Sequence, residues 1–152
     1  MKPRLDLTQV SPGALNAMLG LEASLAKSGI ERPMIELVKM RASQINGCAY
    51  CLDKHSQDAR AEGETEQRLY TLDAWHETGF YTERERAALA WTEALTLVAQ
   101  THAPDDVYQM VRAQFEEAEL VNLTLAIVAI NGWNRIAIGF RTKAGTYQPA
   151  KS

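Results

Sequence analysis

At 152 residues with 46% apolar side chains, the chain is long enough to build one continuous hydrophobic core and is expected to fold as a single domain spanning residues 1–152. A formal net charge of −3, with acids and bases interspersed, offers no electrostatic footprint for nucleic acid or anionic lipid, and neither is expected as a partner. The stretch from Met1 to Gly13 has no apolar run of signal-peptide length, so the expected compartment is the cytoplasm, where the two cysteines, three positions apart, read as a redox pair or part of a metal site rather than a structural staple.

Apolar residues recur at three and four positions with no clear alternation, which predicts an all-α fold of six to seven helices. A first helix runs from Pro12 to the Ser28-Gly29 turn, with Leu15, Met18, Leu19 and Leu25 on its apolar face. The second starts at Pro33 and carries Ile35, Leu37, Val38, Met40 and Ile45 until Asn46-Gly47 interrupts it. A third opens at Cys48 and ends at Gly63, and Thr65 caps a fourth that continues through Trp75. Thr82 and Glu85 form a capping box for a fifth, amphipathic helix bearing Ala88, Leu89, Trp91, Leu95 and Val98; Pro104 starts a shorter sixth.

From Glu117 to Phe140 the sequence is nearly all apolar and is expected to be buried on most sides, as core or subunit interface. Asn122, Asn131, Asn134 and Arg135 interrupt it as a membrane span. The tail after Arg141 has the composition of a loosely held terminus. Ile45-Asn46-Gly47 recurs as Ile130-Asn131-Gly132, 85 positions on; at that offset Trp133, Ile136 and Phe140 stand where Cys48, Cys51 and His55 stand. An old duplication that kept its chemistry in one copy would look so, and chance is a fair rival for three residues.

Chemistry concentrates in the run from Asn46 to His55, with Glu36 on the preceding helix. At about 100° per residue, Cys48, Cys51 and His55 share one helical face, and α-carbons about 5 to 6 Å apart allow a disulfide between the sulfurs with little strain. The unpaired N–H groups at a helix start favour a thiolate, the species that reduces a peroxide. A thiolate attacking the distal peroxide oxygen releases an alcohol and leaves a sulfenic acid, which the second cysteine condenses to a disulfide. An external dithiol must then reopen it. Position at the helix start favours Cys48 as the attacking sulfur, whereas proximity to His55, able to take a proton directly or through one water, favours Cys51. Glu36 would orient the imidazole if the two helices pack suitably.

Glu36, eleven residues, Cys48, two residues, Cys51, three residues, His55 resembles the signature of the alkylhydroperoxidase D family, within the carboxymuconolactone decarboxylase-like fold. The stretches Arg68 to Ala94 and Glu119 to Arg141 are also similar to that family. The resemblance implies that Cys51 is peroxidatic, that Cys48 resolves it and donates a proton, and that His55 and Glu36 form the relay. It further implies an alkyl hydroperoxide substrate, a dithiol reductant such as a dihydrolipoyl protein, no cofactor, and a homo-oligomer, hexamer before trimer. Tyr50 departs from the family pattern, which has a second histidine between the cysteines.

The bland readings are two buried small hydrophobes for the cysteines, a helix-surface residue for His55 and a solvated acid for Glu36. His76 and His102 read as surface residues, and Trp75, Trp91 and Trp133 as core or interface aromatics. The rival functions are a zinc site on Cys48, Cys51 and His55 with a fourth ligand from elsewhere, a lactone decarboxylase, and a non-catalytic redox sensor.

Overall fold

The computed structural model describes residues 2–149. Among these it is all-helical: α1 Leu7–Val10, α2 Pro12–Leu25, α3 Arg32–Asn46, α4 Ala49–Ala61, α5 Glu66–Tyr70, a 3-10 segment Leu72–Glu77, α6 Glu83–Thr96, α7 Val98–Thr101, α8 Asp105–Arg112 and α9 Glu117–Phe140. The number of helices exceeds the six to seven expected, for local reasons. The fourth predicted helix is broken into α5 and the 3-10 segment, inside which Ala74 leaves helical geometry at φ −111°. The fifth ends at Thr96, so Val98 lies outside it in the short α7 and is exposed rather than part of a buried face.

Local chemistry explains the main boundaries. Thr82 and Glu85 form the reciprocal capping box at the start of α6. The Thr65 hydroxyl accepts the Arg68 N–H at the start of α5. Pro33 sits in the first turn of α3, where its missing N–H costs nothing.

Helices α3 and α9 form the centre. α3 packs against α4, α6 and α9, and α9 also takes α2 on its other flank. The largest core cluster joins Ile35 and Val38 of α3, Ala88 and Trp91 of α6, Val111 of α8 and Leu123 and Ile127 of α9. A second gathers Leu37 and Met40 of α3 with Leu69, Leu72, Trp75 and Leu89.

By length and composition α9 is apolar enough to cross a membrane. In the fold it buries Leu120, Leu123, Ile127, Ile130 and Asn134 on one face, while Val121, Val128 (53% exposed) and Ile138 point outward. Within one chain, then, only one face of α9 is core, and the outward face is the part that burial in a subunit interface would have to cover. α2 behaves similarly: Leu25 is buried, Leu15 and Met18 are half-buried, and Leu19 is 49% exposed. For residues 142–149 the expectation of a loose tail needs correction, because the Gly145 N–H donates to Asp53 Oδ2 at 2.8 Å and the Tyr147 hydroxyl donates to Asp58 Oδ1 at 2.6 Å, both on α4; residues 150–152 lie outside the described residues.

Candidate active site

The corner between α3 and α4 places the cysteines. Gly47 closes α3 in the left-handed conformation, φ 66° and ψ 37°, which glycine adopts without the Cβ clash of other residues. The Cys48 N–H then returns to Ser43 O at 3.0 Å, and Cys48 takes the extended cap position of α4, one residue before the helix that had been expected to begin with it. Cys51 lies one turn into α4 and His55 one turn further.

Both thiols are free and buried, Cys48 1% and Cys51 3% exposed, with their sulfurs 2.7 Å apart. They pack with Ala42 of α3, Ile130 and Ala137 of α9, and the half-buried Tyr50 and Trp133. The Cys51 S–H, as hydrogen-bond donor, is the largest influence on Cys48 and lowers it to about 7 against the opposing effect of burial. The Tyr50 and Cys51 backbone N–H groups assist by their partial charge, although no full cap hydrogen bond reaches the sulfur. Cys51 is pushed up, first by holding its proton for Cys48 and second by desolvation. Of the two thiols, Cys48 is therefore the more readily ionised.

His55 is 5% exposed, and its Nδ1 lies 2.7 Å from Glu36 Oε2. α3 and α4 pack so as to make the pairing that spacing alone left open. With the carboxylate accepting the Nδ1–H, Nε2 presents its lone pair. Among the described residues no hydrogen bond joins the imidazole to either sulfur, so direct proton transfer needs a side-chain movement or a bridging water.

Residues beyond the sequence reading complete the surroundings. Asp58 Oδ2 lies 3.9 Å from His55 Nδ1 and 2.6 Å from Lys54 Nζ, and Lys54 in turn stands 4.0 Å over the Tyr147 ring. Burial would raise the Asp58 carboxyl, but Lys54 and Tyr147 outweigh it and hold it below its usual 3.8. Asp58 was findable, being one turn after His55; Tyr147 was not, because 89 positions separate it from Asp58.

A neutral polar network lies on the α9 side. Asn134 Nδ2 donates to Ser43 Oγ at 3.0 Å, and Asn46 Nδ2 donates to Asn134 Oδ1 at 2.9 Å and to Asn131 Oδ1 at 3.0 Å. The two asparagines of the sequence echo thus bond each other, but Gly132 stays helical where Gly47 ends a helix. Trp133, beside the thiols, donates its indole N–H to Glu22 of α2 at 3.0 Å, and Glu22 also holds Lys39 at 2.7 Å.

Glu36, His55 and Asp58 bring ligand atoms within 4.8 Å of one another, the one such group among the described residues; Cys48, Cys51 and His55 do not form one. Glu36 Oε2 already takes His55, and Asp58 takes Lys54 and Tyr147, so these donors satisfy one another. Two surface grooves, one of about 610 Å³ beside Trp75, Glu93 and Met110 and one of about 440 Å³ beside Trp91, Tyr108 and Leu125, both lie away from the thiols.

The helical fold with a dithiol at a helix start, backed by a His–carboxylate pair, defines the class as AhpD-like. Residues 12–94 match the carboxymuconolactone decarboxylase family, and the chain belongs to it. It is 42% identical over 146 residues to the uncharacterized protein YdfG of Bacillus subtilis, covering 96% of this chain and 99% of YdfG. Among solved structures it superposes with a TM-score of 0.93, at 45% identity, on an Agrobacterium tumefaciens protein of unknown function described as a candidate antioxidant defence protein AhpD, over 96% of this chain and 100% of that one. The debrominase Bmp8 shares the fold, with a TM-score of 0.77 at 19% identity over 89% of this chain and 73% of Bmp8.

Proposed function

We propose that the protein is a cytoplasmic thiol peroxidase that reduces alkyl hydroperoxides through the Cys48–Cys51 pair, as part of antioxidant defence. The observation that carries this reading is the pair of free sulfurs 2.7 Å apart at the start of α4, one of them held near neutrality in its proton affinity. A shared proton at that spacing supports a division of labour. Cys48 takes the Cys51 proton; the Cys51 thiolate attacks the distal peroxide oxygen; the O–O bond breaks; and the leaving alkoxide takes the proton back from Cys48 as alcohol. Cys48 is then a thiolate facing a sulfenic acid, and its attack forms the disulfide and expels hydroxide, which leaves as water. His55, oriented by Glu36, acts before and after these steps: through a water or after a small side-chain movement it first takes the Cys48 proton, and as imidazolium it returns that proton to the expelled hydroxide, which completes the water.

Two electrons from an external dithiol restore the pair, and a dihydrolipoyl protein is the first reductant to test. The outward apolar faces of α2 and α9 support assembly of several copies; the order hexamer before trimer is what the family resemblance implies. The test is turnover of cumene hydroperoxide with dihydrolipoamide. Cys51→Ser is expected to abolish it, and Cys48→Ser to leave a sulfenic acid that dimedone traps. Equal turnover in wild type and Cys51→Ser discards the mechanism.

The lowered Cys48 supports a second reading, in which Cys48 attacks and Cys51 resolves. The reverse trapping pattern, sulfenic acid at Cys48 in Cys51→Ser, identifies it. Stoichiometric zinc lost on Cys51→Ser would instead select a metal-binding role.

A further inference from the structure

The C-terminal segment after α9 returns to α4 on the side that carries the histidine. Gly145 N–H is held by Asp53 Oδ2 at 2.8 Å, and the Tyr147 hydroxyl by Asp58 Oδ1 at 2.6 Å. The other Asp58 oxygen, Oδ2, faces Lys54 Nζ at 2.6 Å and His55 Nδ1 at 3.9 Å. The same Nδ1 lies 2.7 Å from Glu36 Oε2. One imidazole nitrogen therefore faces two carboxylates, one from α3 and one from its own helix.

We propose that Asp58 is a positioning residue for the thiol chemistry: fixed by Lys54 and Tyr147, it gives His55 a second carboxylate and makes the C-terminal segment part of the site. This rests on His55 acting as proton acceptor for the thiol pair. The charged and titratable groups around the imidazole are Glu36 from α3, Asp58 and Lys54 from α4, and the Tyr147 phenol from the tail; Cys51 lies one turn before it on α4. Before the transfer, two carboxylates face one ammonium. After it, the imidazolium is a second cation between the two carboxylates while the new anion sits on the sulfur, and each carboxylate held near the ring lowers the cost of that charge in a partly desolvated place.

Lys54 does more than neutralise. With Tyr147 it fixes one Asp58 rotamer, leaving Oδ2 aimed at the ring instead of at solvent. A carboxylate free to rotate would be solvated and would act on His55 only weakly. The tail supplies the second point of that fixation, and its own anchor at Asp53 holds Tyr147 in register with α4.

The experiment is a pH titration of the thiolate ultraviolet absorbance in the full-length reduced protein, with peroxide turnover measured in parallel for wild type, Asp58→Asn, Asp58→Glu and Tyr147→Phe. Losing the Asp58 charge removes support for imidazolium, and an imidazolium supports the neighbouring thiolate. The midpoint in Asp58→Asn is therefore expected to move to higher pH by about half a unit to one unit. Its kcat is expected to fall about tenfold with KM unchanged. Tyr147→Phe shifts the midpoint less and in the same direction, and Asp58→Glu returns toward wild type.

A folded Asp58→Asn with the wild-type midpoint overturns the proposal, even if its Tm falls, because Asp58 is then only an anchor for the tail. If Asp58→Asn does not fold, an unshifted Tyr147→Phe overturns it. A midpoint that shifts in a protein with no peroxide turnover upholds the role of Asp58 and removes the peroxidase reading alone.

Discussion

Cys48 and Cys51 illustrate how two chemically identical side chains acquire different properties from three positions of separation. Cys48 faces the open end of α4 and is favoured as the anion by the Cys51 S–H, while Cys51 sits inside the first turn and holds its proton. A thiol lowered to about 7 becomes anionic as pH rises through that value instead of near its ordinary 9.0. Alkylation of Cys48 followed by mass spectrometry is expected to rise through about the same pH in wild type. In Cys51→Ala the largest lowering influence is gone, so the rise is expected to move upward toward the ordinary value. At the histidine, Glu36→Gln keeps a hydrogen-bonding side chain but loses the charge. Loss of a positioned proton acceptor in His55→Ala is expected to lower kcat by about 10²-fold, with Glu36→Gln lowering it less, as read in steady-state turnover.

The α3–Gly47–α4 corner is the element on which the site depends. A left-handed residue at that position lets the chain reverse direction within one residue, so that Cys48 caps the next helix. Gly47→Ala has open space for its Cβ but the wrong backbone preference, and is expected to cost about 1 kcal/mol in urea unfolding. Across from it, Asn134 joins α9 to α3 through Ser43 and Asn46 in a buried setting. Asn134→Ala leaves those partners unsatisfied and is expected to cost about 1 to 3 kcal/mol in the same measurement. The sequence echo was visible as repeated letters, but that Asn46 and Asn131 hydrogen-bond each other depends on how two helices 85 positions apart come together.

For the whole molecule, the thiols are sealed by α9 and by Trp133, and the two grooves open elsewhere. With Cys48 1% and Cys51 3% exposed, access of a peroxide to the pair requires motion of the elements packed over it. The apolar residues that α9 turns outward are where another copy would sit, so Val121→Asp combined with Val128→Asp is expected to reduce the assembled mass in light scattering. An unchanged mass excludes that face as an interface.

Helix positions around the site, the closeness of Cys48 to Cys51 and the break at Gly47 were legible in the amino-acid order, because caps, glycine and periodicity act over one or two turns; the imidazole one turn on turns to Glu36 instead of to a sulfur. The pairing of Glu36 with His55, the sealing of the sulfurs by α9 and the return of Tyr147 to Asp58 were decided only by the tertiary structure. Those contacts span 19 to 89 positions, and at such separations local preferences carry no information about which surfaces meet. The half-exposed faces of α2 and α9 make the same point in reverse: their apolar content was plain, yet which half the core would cover followed from the packing of α2 against α9 and of α9 against α3 and α6.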